Sequence, residues 1–519
     1  MKELVWTRQL LPAVSRFAAQ PFLTDTGSGT TTTYGEHASR VLKLADALRT
    51  QLGVQPGDRV AVMALNSGAY EEIYHAGLLG AAVVNPLNLR FAPRELSHVL
   101  SDSATKVVFV DAWFAGVIDG VREAAGVTQV VLIGEGDVPC DARYEDLLAA
   151  GEERLPAEPE EEDAGLLMYT GGTTGLPKGV LLTQRNLMLT AYHIGMTVRV
   201  ERDDRYLVQV PMFHAASMGA LIAMPTTGGQ LVTVPVFDPA GVMAACETHA
   251  CTNTIMVPTM LAMTFAHPDY TPARMSSLTR LTYGASPMPR PVLERLRTDL
   301  PHLQLFQGYG MTESAALVSC LLPEDHAREE KLASAGRPVQ GTVVTIRSED
   351  DVALPPGEVG EVCVQGGQFM REYWRRPEET AEAFRGGWYR SGDAGYLDDE
   401  GYLYLVDRTK DMIVSGGENV YSTEVEQVLA AHPAVAQVAV IGVPHDLYGE
   451  AVHAVVVLKP GVEVTDVELV EHAKGLIAGY KVPKSVSFRA DPLPLSGAMK
   501  VLKRELRAPY WEGRERAVN

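Results

Sequence analysis

The sequence predicts an α/β fold: a large, multi-part N-terminal domain of layered, mostly parallel sheets with a small β-barrel-like part, then a small α+β C-terminal domain. Three observations predict it. Strand-like apolar runs alternate with helical periodicity through the first four hundred residues, the signature of parallel sheets covered by helices. After about residue 340 the runs shorten, and Gly-Trp-Tyr, Asp-Ala-Gly and Asp-Glu-Gly punctuate them, which marks antiparallel hairpins. Beyond Asp411 a fresh series of helix and strand signals begins. At 519 residues the chain also exceeds what one ordinary hydrophobic core supports.

In chain order, "RVAVMAL" (59–65) reads as a buried strand, followed by a helix through Tyr70 to Gly80 and a second strand in "AAVVNP". "KVVFVD" (106–111), "QVVLIG" (129–134) and "TNTIMVPTM" (252–260) repeat the strand pattern. Residues 152–164, "EERLPAEPEEEDA", are acidic with two prolines and read as a solvated loop. Leu166 to Met168 end a strand, and the glycines and Pro177 that follow delay any helix, so 167–180 is a strand–loop–strand element. The C-terminal part reads as a helix near 423–432, strands at "AQVAVIGVP" and "HAVVVLK", a helix near 465–478 and the basic end "KVLKRELR".

Composition excludes several classes of function. A net charge of −20 argues against sequence-independent nucleic-acid binding, which needs lysine and arginine to neutralise phosphates. Cys140, Cys246, Cys251, Cys320 and Cys363 are odd in number and form no C-x-x-C pair, so they read as reduced thiols and imply a cytoplasmic setting. The opening "MKELVWTRQLLPAVSRF" is interrupted by charges, unlike a signal peptide, and no run of 18 apolar residues occurs, so no membrane span is expected. The oligomeric state is not legible; a homodimer is the assembly to test.

The chemistry-bearing stretches are individually ambiguous. "LMYTGGTTGLPKGV" (167–180) sets glycines and threonines beside Lys178, a composition suited to a polyphosphate because bare backbone N–H groups can approach it closely, but also to a plain surface loop. In "QGYGMTE" (307–313), Tyr309 suits a base, Thr312 a phosphate and Glu313 a hard cation, or they are a core tyrosine and a surface glutamate. Asp393 in "YRSGDAGY" is either a turn-capping carboxylate or an acceptor for a ribose diol. His214 in "VPMFHAASMGA" is a core histidine or a pocket wall, and Lys500 after Pro494 and Gly497 is a solvated lysine or a functional one.

Their order along the chain resembles that of the adenylate-forming superfamily of acyl-CoA synthetases, luciferases and adenylation domains, and the resemblance covers essentially the whole chain. The phosphate-loop pattern [ST]-S-G-[ST]-T-G-x-P-K-G is matched along Thr170, Gly171, Gly172, Thr173, Thr174, Gly175, Pro177, Lys178 and Gly179 at every fixed place but that of Gly171, and "YGMTE", "YRSGD", "DRTKDMIVSGGENVY" and a C-terminal lysine follow. The resemblance implies that residues 170–179 embrace the ATP β- and γ-phosphates. Tyr309, next to Gly308, and the backbone at Gly284 and Ala285 would sandwich adenine, Thr312 would meet the α-phosphate, and Glu313 would hold Mg²⁺. Asp393 would bind the ribose hydroxyls with Arg408 in support. Lys410 resembles the hinge, which sets domains of 1–409 and 410–519, and Gly416 and Gly417 would line the thiol's approach. Lys500 would be the catalytic lysine, offsetting charge in the attack of a carboxylate on the α-phosphorus.

Two positions depart from that pattern. Gly171 stands where serine is usual, removing one hydroxyl donor. Met499 precedes Lys500 where glycine is common, so a positive φ there would strain the loop. The stretch 207–224 holds no acidic residue, which disfavours an ammonium-bearing substrate. Phe213, His214, Ala215 and Ala216, with Met212, Met218 and Gly219 nearby, suggest an apolar pocket for a fatty or aryl acid. The expected activity is AMP-forming carboxylate–CoA ligation with ATP, Mg²⁺ and CoA. An amine or carrier-protein acceptor and a non-catalytic nucleotide binder are the alternatives.

Overall fold

The computed structural model describes residues 2–170, 176–286, 288–408, 411–415, 418–445, 448–474, 476–497 and 499–512. Among these, the strands gather into sheets of nine, eight, five and four members. In the eight-stranded sheet Arg59–Met63, Val83–Pro86, Val107–Asp111, Gln129–Ile133 and Ala164–Thr170 run parallel, with Lys178–Thr183 and Glu372–Tyr373 added antiparallel at one side. In the nine-stranded sheet Arg205–Val208, Gln230–Thr233, Asn253–Met256, Arg280–Gly284 and Gln304–Tyr309 are the parallel centre.

The layering follows from which faces are apolar. The largest core cluster joins Val84, Leu166 and Leu182 of one sheet to Tyr206, Val208 and Leu231 of the other through Leu187, Met218 and Leu221 on the helices Gln184–Thr197 and Ala215–Thr227. Those helices therefore lie between the sheets, and strands buried on both faces read as continuous hydrophobic runs for that reason. Separate clusters cover the outer faces: Val242, Met260 and Leu296 on one sheet, Leu96, Ile118 and Val121 on the other.

The β-barrel-like part is an antiparallel half-barrel sheet, open at its edges, of Val343–Arg347, Gly360–Gln365, Tyr389–Leu397 and Leu403–Arg408. The C-terminal module pairs Val435–His445 with Gly449–Leu458 and packs the helices Ser422–Ala430 and Asp466–Lys474 over a core of Val425, Val440, Val456 and Leu469.

Three local expectations change. The strand predicted over 252–260 ends at Met256, because Pro258 opens the helix Pro258–Ala266. The helix predicted through Tyr70 to Gly80 is α-helical over Gly68–Ala76 and widens into a π turn over Gly77–Ala81, where Gly80 has φ +98°. The acidic stretch 152–164 is a strap as well as a wet surface: Glu161 accepts from the backbone N–H groups of Glu3 and Leu4, Glu158 accepts from Thr7 and Arg8, and Pro159 is buried. Its charges anchor the N-terminal segment.

Candidate active site

The glycine-rich element is built as a strand pair. Ala164–Thr170 and Lys178–Thr183 are antiparallel with Thr170 opposite Lys178, so the ladder closes across the loop between them. Gly171, Gly172, Thr173, Thr174 and Gly175 lie outside the described residues. Lys178 is placed by its strand's other neighbour, where Tyr373 pairs with Val180. Its ammonium sits 4.4 Å from the Tyr373 ring centroid and 2.9 Å from Glu379 Oε2. Burial raises the Glu379 pKa, but the hydrogen bond and charge of Lys178, with help from Arg376, outweigh it and hold the carboxyl below its ordinary value.

The same tyrosine reaches the next motif. Tyr373 donates its hydroxyl to Glu313 Oε1 at 2.8 Å, and Met370 N–H donates to the Glu313 carbonyl at 2.7 Å. Burial, then the Glu313 charge, pushes the Tyr373 pKa up, so the hydroxyl stays a donor throughout the working range. Thr312 and Glu313 occupy a short 3₁₀ turn, Thr312–Ser314, just past the end of Gln304–Tyr309. Ala315 and Ala316 follow at φ +48° and +104°, left-handed backbone that alanine rarely adopts. Gly310 is required there, since a Cβ would collide with the Ala316 carbonyl oxygen.

Gly284 and Tyr309 stand at the C-terminal ends of neighbouring parallel strands, the edge at which open α/β sheets bind ligands. Gly284 is paired with Gly308, and a Cβ on Gly284 would strike the Gly308 carbonyl oxygen. Ala285 then turns away at φ +63°. Tyr309 donates its hydroxyl to Asp393 Oδ2 at 2.6 Å, joining the big domain's central sheet to the half-barrel. Asp393 is buried, its N–H donates to Ser391 Oγ, and it lies opposite Arg408 in the ladder. Thus the two ambiguous motifs, Tyr309 and Asp393, are one contact.

His214 caps the helix Ala215–Thr227, its Nδ1 accepting from Ala216 N–H at 3.2 Å. Burial, then the nearby charge of Lys500, draws its pKa down to about 3, so the imidazole is neutral at working pH. The Lys500 charge therefore acts on a residue of the N-terminal domain, consistent with the docking of its loop there through Leu495 and Ser496. Phe213 and Ala215 are buried in the core between the sheets, whereas Ala216 is half-buried and packs toward the outer cluster. Gly219 serves helix packing, because Ile194 occupies the space of its missing side chain.

The structure therefore brings together Thr170, Lys178 and Glu313, then Gly284, Gly308, Tyr309 and Asp393, and it sets His214 within reach of the Lys500 charge. Lys410, Gly416 and Gly417 lie outside the described residues, and Arg408 is described by its backbone. Sequence reasoning missed Tyr373 and Glu379. "REYWRRPEET" carries no local sign of them, since their role depends on an edge pairing between distant segments. It also missed Arg90, whose Nη1 donates to the carbonyls of Leu495 and Ser496 in the loop that bears Lys500.

Among the described residues no cluster of three or more His, Cys, Asp or Glu could hold a metal by itself. One half-buried carboxylate, Glu313, fixed through a single oxygen by Tyr373, fits Mg²⁺, which takes few protein ligands and shares its coordination with phosphates and water.

A layered α/β body whose parallel strand ends join a half-barrel through Tyr309 and Asp393, with a C-terminal module docked on it through Arg90, is the architecture of an enzyme of adenylate-forming type. The chain belongs to the AMP-binding enzyme family: the family's main model matches residues 12–374 and its C-terminal domain model residues 424–500. Within the family it is an acid–thiol ligase. It is 42% identical to a feruloyl-CoA synthase of Amycolatopsis sp over 93% of this chain and 94% of that protein. It is 38% identical to the long-chain-fatty-acid–CoA ligase FadD13 of Mycobacterium tuberculosis over 92% of this chain and 93% of that one. A crystal structure of ATP-bound MatB from Rhodopseudomonas palustris matches with a TM-score of 0.90 at 27% identity, covering 99% of this chain and 100% of that one.

Proposed function

We propose that this ligase activates a fatty or aryl carboxylic acid lacking an α-amino group, as an acyl-adenylate, and passes the acyl group to CoA. The observation that carries the reading is that the stretch around His214, 207–224, read as the wall of the acid pocket, holds no acidic residue. Such a wall offers a substrate ammonium no counter-ion, and burying an unpaired charge costs several kcal/mol, on the order of 3–5.

Residues 170–179 hold the β- and γ-phosphates with Lys178, which exchanges Glu379 for phosphate. Tyr309 and the backbone of Gly284 and Ala285 enclose adenine, and Asp393 accepts the ribose hydroxyls with Arg408 behind it. Thr312 meets the α-phosphate. Glu313, steadied by Tyr373, would hold Mg²⁺, whose chemistry is to neutralise phosphate charge. The substrate carboxylate attacks the α-phosphorus and pyrophosphate departs. Lys500 donates to the oxygens on which negative charge gathers, where a positioned cation is worth most. The thiol of CoA then attacks the acyl carbonyl and AMP leaves. For that step the domain 410–519 turns about Lys410 against 1–409, removing Lys500 and bringing Gly416 and Gly417 to the thiol's path. The free cysteines support a reducing, cytoplasmic setting.

The test is pyrophosphate release across fatty, aryl and α-amino acids, each with CoA, with a simple amine and with neither. Release with a fatty or aryl acid, accelerated by CoA and ending in a thioester, is expected. Amide formation without CoA stimulation would move the acceptor to an amine, and release specific to α-amino acids would overturn the pocket reading.

A further inference from the structure

Arg90 lies in the loop between the strand Val83–Pro86 and the helix Pro93–Asp102 of the N-terminal domain, with its side chain exposed. It crosses to the C-terminal domain. Nη1 donates to the Leu495 carbonyl at 2.6 Å and to the Ser496 carbonyl at 3.0 Å, and Nη2 faces Met499 Sδ at 3.8 Å. The base of the loop is fixed by Arg90 N–H donating to Asn88 Oδ1 at 3.0 Å. Asn88 in turn fits against Gly497, where a Cβ would lie 2.5 Å from Oδ1. One N-terminal loop therefore grips the Lys500 turn at Leu495, Ser496, Gly497 and Met499.

The gripped turn is internally tied. Ser496 N–H donates to the Lys500 carbonyl at 2.7 Å, Lys500 N–H to Ser496 Oγ at 3.1 Å, and Leu502 N–H to the Pro494 carbonyl at 2.8 Å. A turn cross-braced in this way moves as a body. Holding the Leu495 and Ser496 carbonyls consequently sets where Lys500 points, although Arg90 itself touches no reacting atom.

We infer that Arg90 is a positioning residue: a latch that docks the Lys500 turn for the adenylate-forming half-reaction and must let go before the thiol can enter. The inference rests on the assignment of Lys500 made above. A guanidinium suits the task because its planar fork meets two carbonyls in fixed directions, whereas an ammonium is a point charge on a flexible stem. The latch favours one of two domain arrangements, so its removal shifts the population away from adenylation without touching the chemistry of the second step.

The experiment measures the half-reactions separately: acid-dependent pyrophosphate release from ATP, and thioester formation from preformed acyl-adenylate and CoA. Arg90→Met is expected to lower kcat of the first by about ten- to a hundredfold, the scale of a misplaced catalytic group, with little change in the KM for ATP. The second half-reaction stays unchanged or quickens. Arg90→Lys recovers part of the loss. Gly497→Val, which pushes the turn off Asn88 from the other side, should reproduce the split and keeps the test open should Arg90→Met fold poorly. Equal loss in both half-reactions, or full pyrophosphate release in Arg90→Met while Lys500→Ala loses it, would overturn the latch. Undiminished release in Lys500→Ala would instead overturn the assignment of Lys500.

Discussion

Met499 has φ +60°, the left-handed conformation in which a Cβ crowds the following carbonyl. The turn around it is nonetheless intact, with Met499 N–H donating to the Ser496 carbonyl at 2.9 Å, and its side chain is half-buried against the outer core cluster of the N-terminal domain. Strain and packing oppose each other at one residue. Met499→Ala and Met499→Gly separate them, because both remove the thioether and only alanine keeps the crowding. Pyrophosphate release is expected to be about fivefold faster in the glycine variant than in the alanine variant, the equivalent of about 1 kcal/mol of backbone strain. Equal rates would mean that the docked turn does not require the left-handed backbone.

The two-residue strand Glu372–Tyr373 connects the strand Lys178–Thr183 to Glu313. Pairing with Leu181 and Val180 fixes the Tyr373 ring under Lys178 and aims its hydroxyl at Glu313. Tyr373→Phe keeps the ring, which is buried in the central core, and removes one hydrogen bond to a carboxylate. Such a bond is worth roughly 1.5–3 kcal/mol, so the Mg²⁺ concentration for half-maximal adenylation should rise about tenfold, with the melting temperature lowered by only a few degrees. An unchanged Mg²⁺ requirement would mean that Tyr373 does not steady a Mg²⁺ ligand. The edge strand is thus a functional element despite its length, since what it positions lies on three different segments.

At the scale of the molecule, the docking of the C-terminal domain is reported by His214. Its depressed pKa has burial as the larger cause and the Lys500 charge as the second. A histidine held neutral in the folded protein binds fewer protons than in the unfolded chain below its ordinary pKa. It therefore contributes stability that is whole above about 6.5 and is lost as pH falls toward about 3. Lys500→Met should raise the His214 pKa measured by NMR titration, without restoring the free value, because burial remains. No change would mean that the two side chains are apart in solution. His214→Gln should flatten the acid limb of a denaturant-stability profile between those same limits.

Alternating strand and helix periods, the turn residues after 340 and the fresh pattern beyond Asp411 determined the layered α/β body, the half-barrel and the C-terminal module, because burial on one face or two leaves a local imprint in the hydrophobic pattern. The ordered motifs singled out Lys178, Tyr309, Thr312, Glu313, Asp393 and Lys500 as candidates, and the glycine expected before Lys500 anticipated the strained backbone at Met499. Only the tertiary structure decided what these residues meet: Tyr309 meets Asp393, Lys178 meets Glu379, Glu313 meets Tyr373 and the loop of Lys500 meets Arg90. It also decided that Gly219 serves helix packing and that the acidic stretch straps the N-terminal segment. The physical reason is the same in each case. A residue's chemistry and period are local properties, whereas a partner across a sheet edge or a domain boundary is fixed by strand order and docking, which no window of the sequence contains.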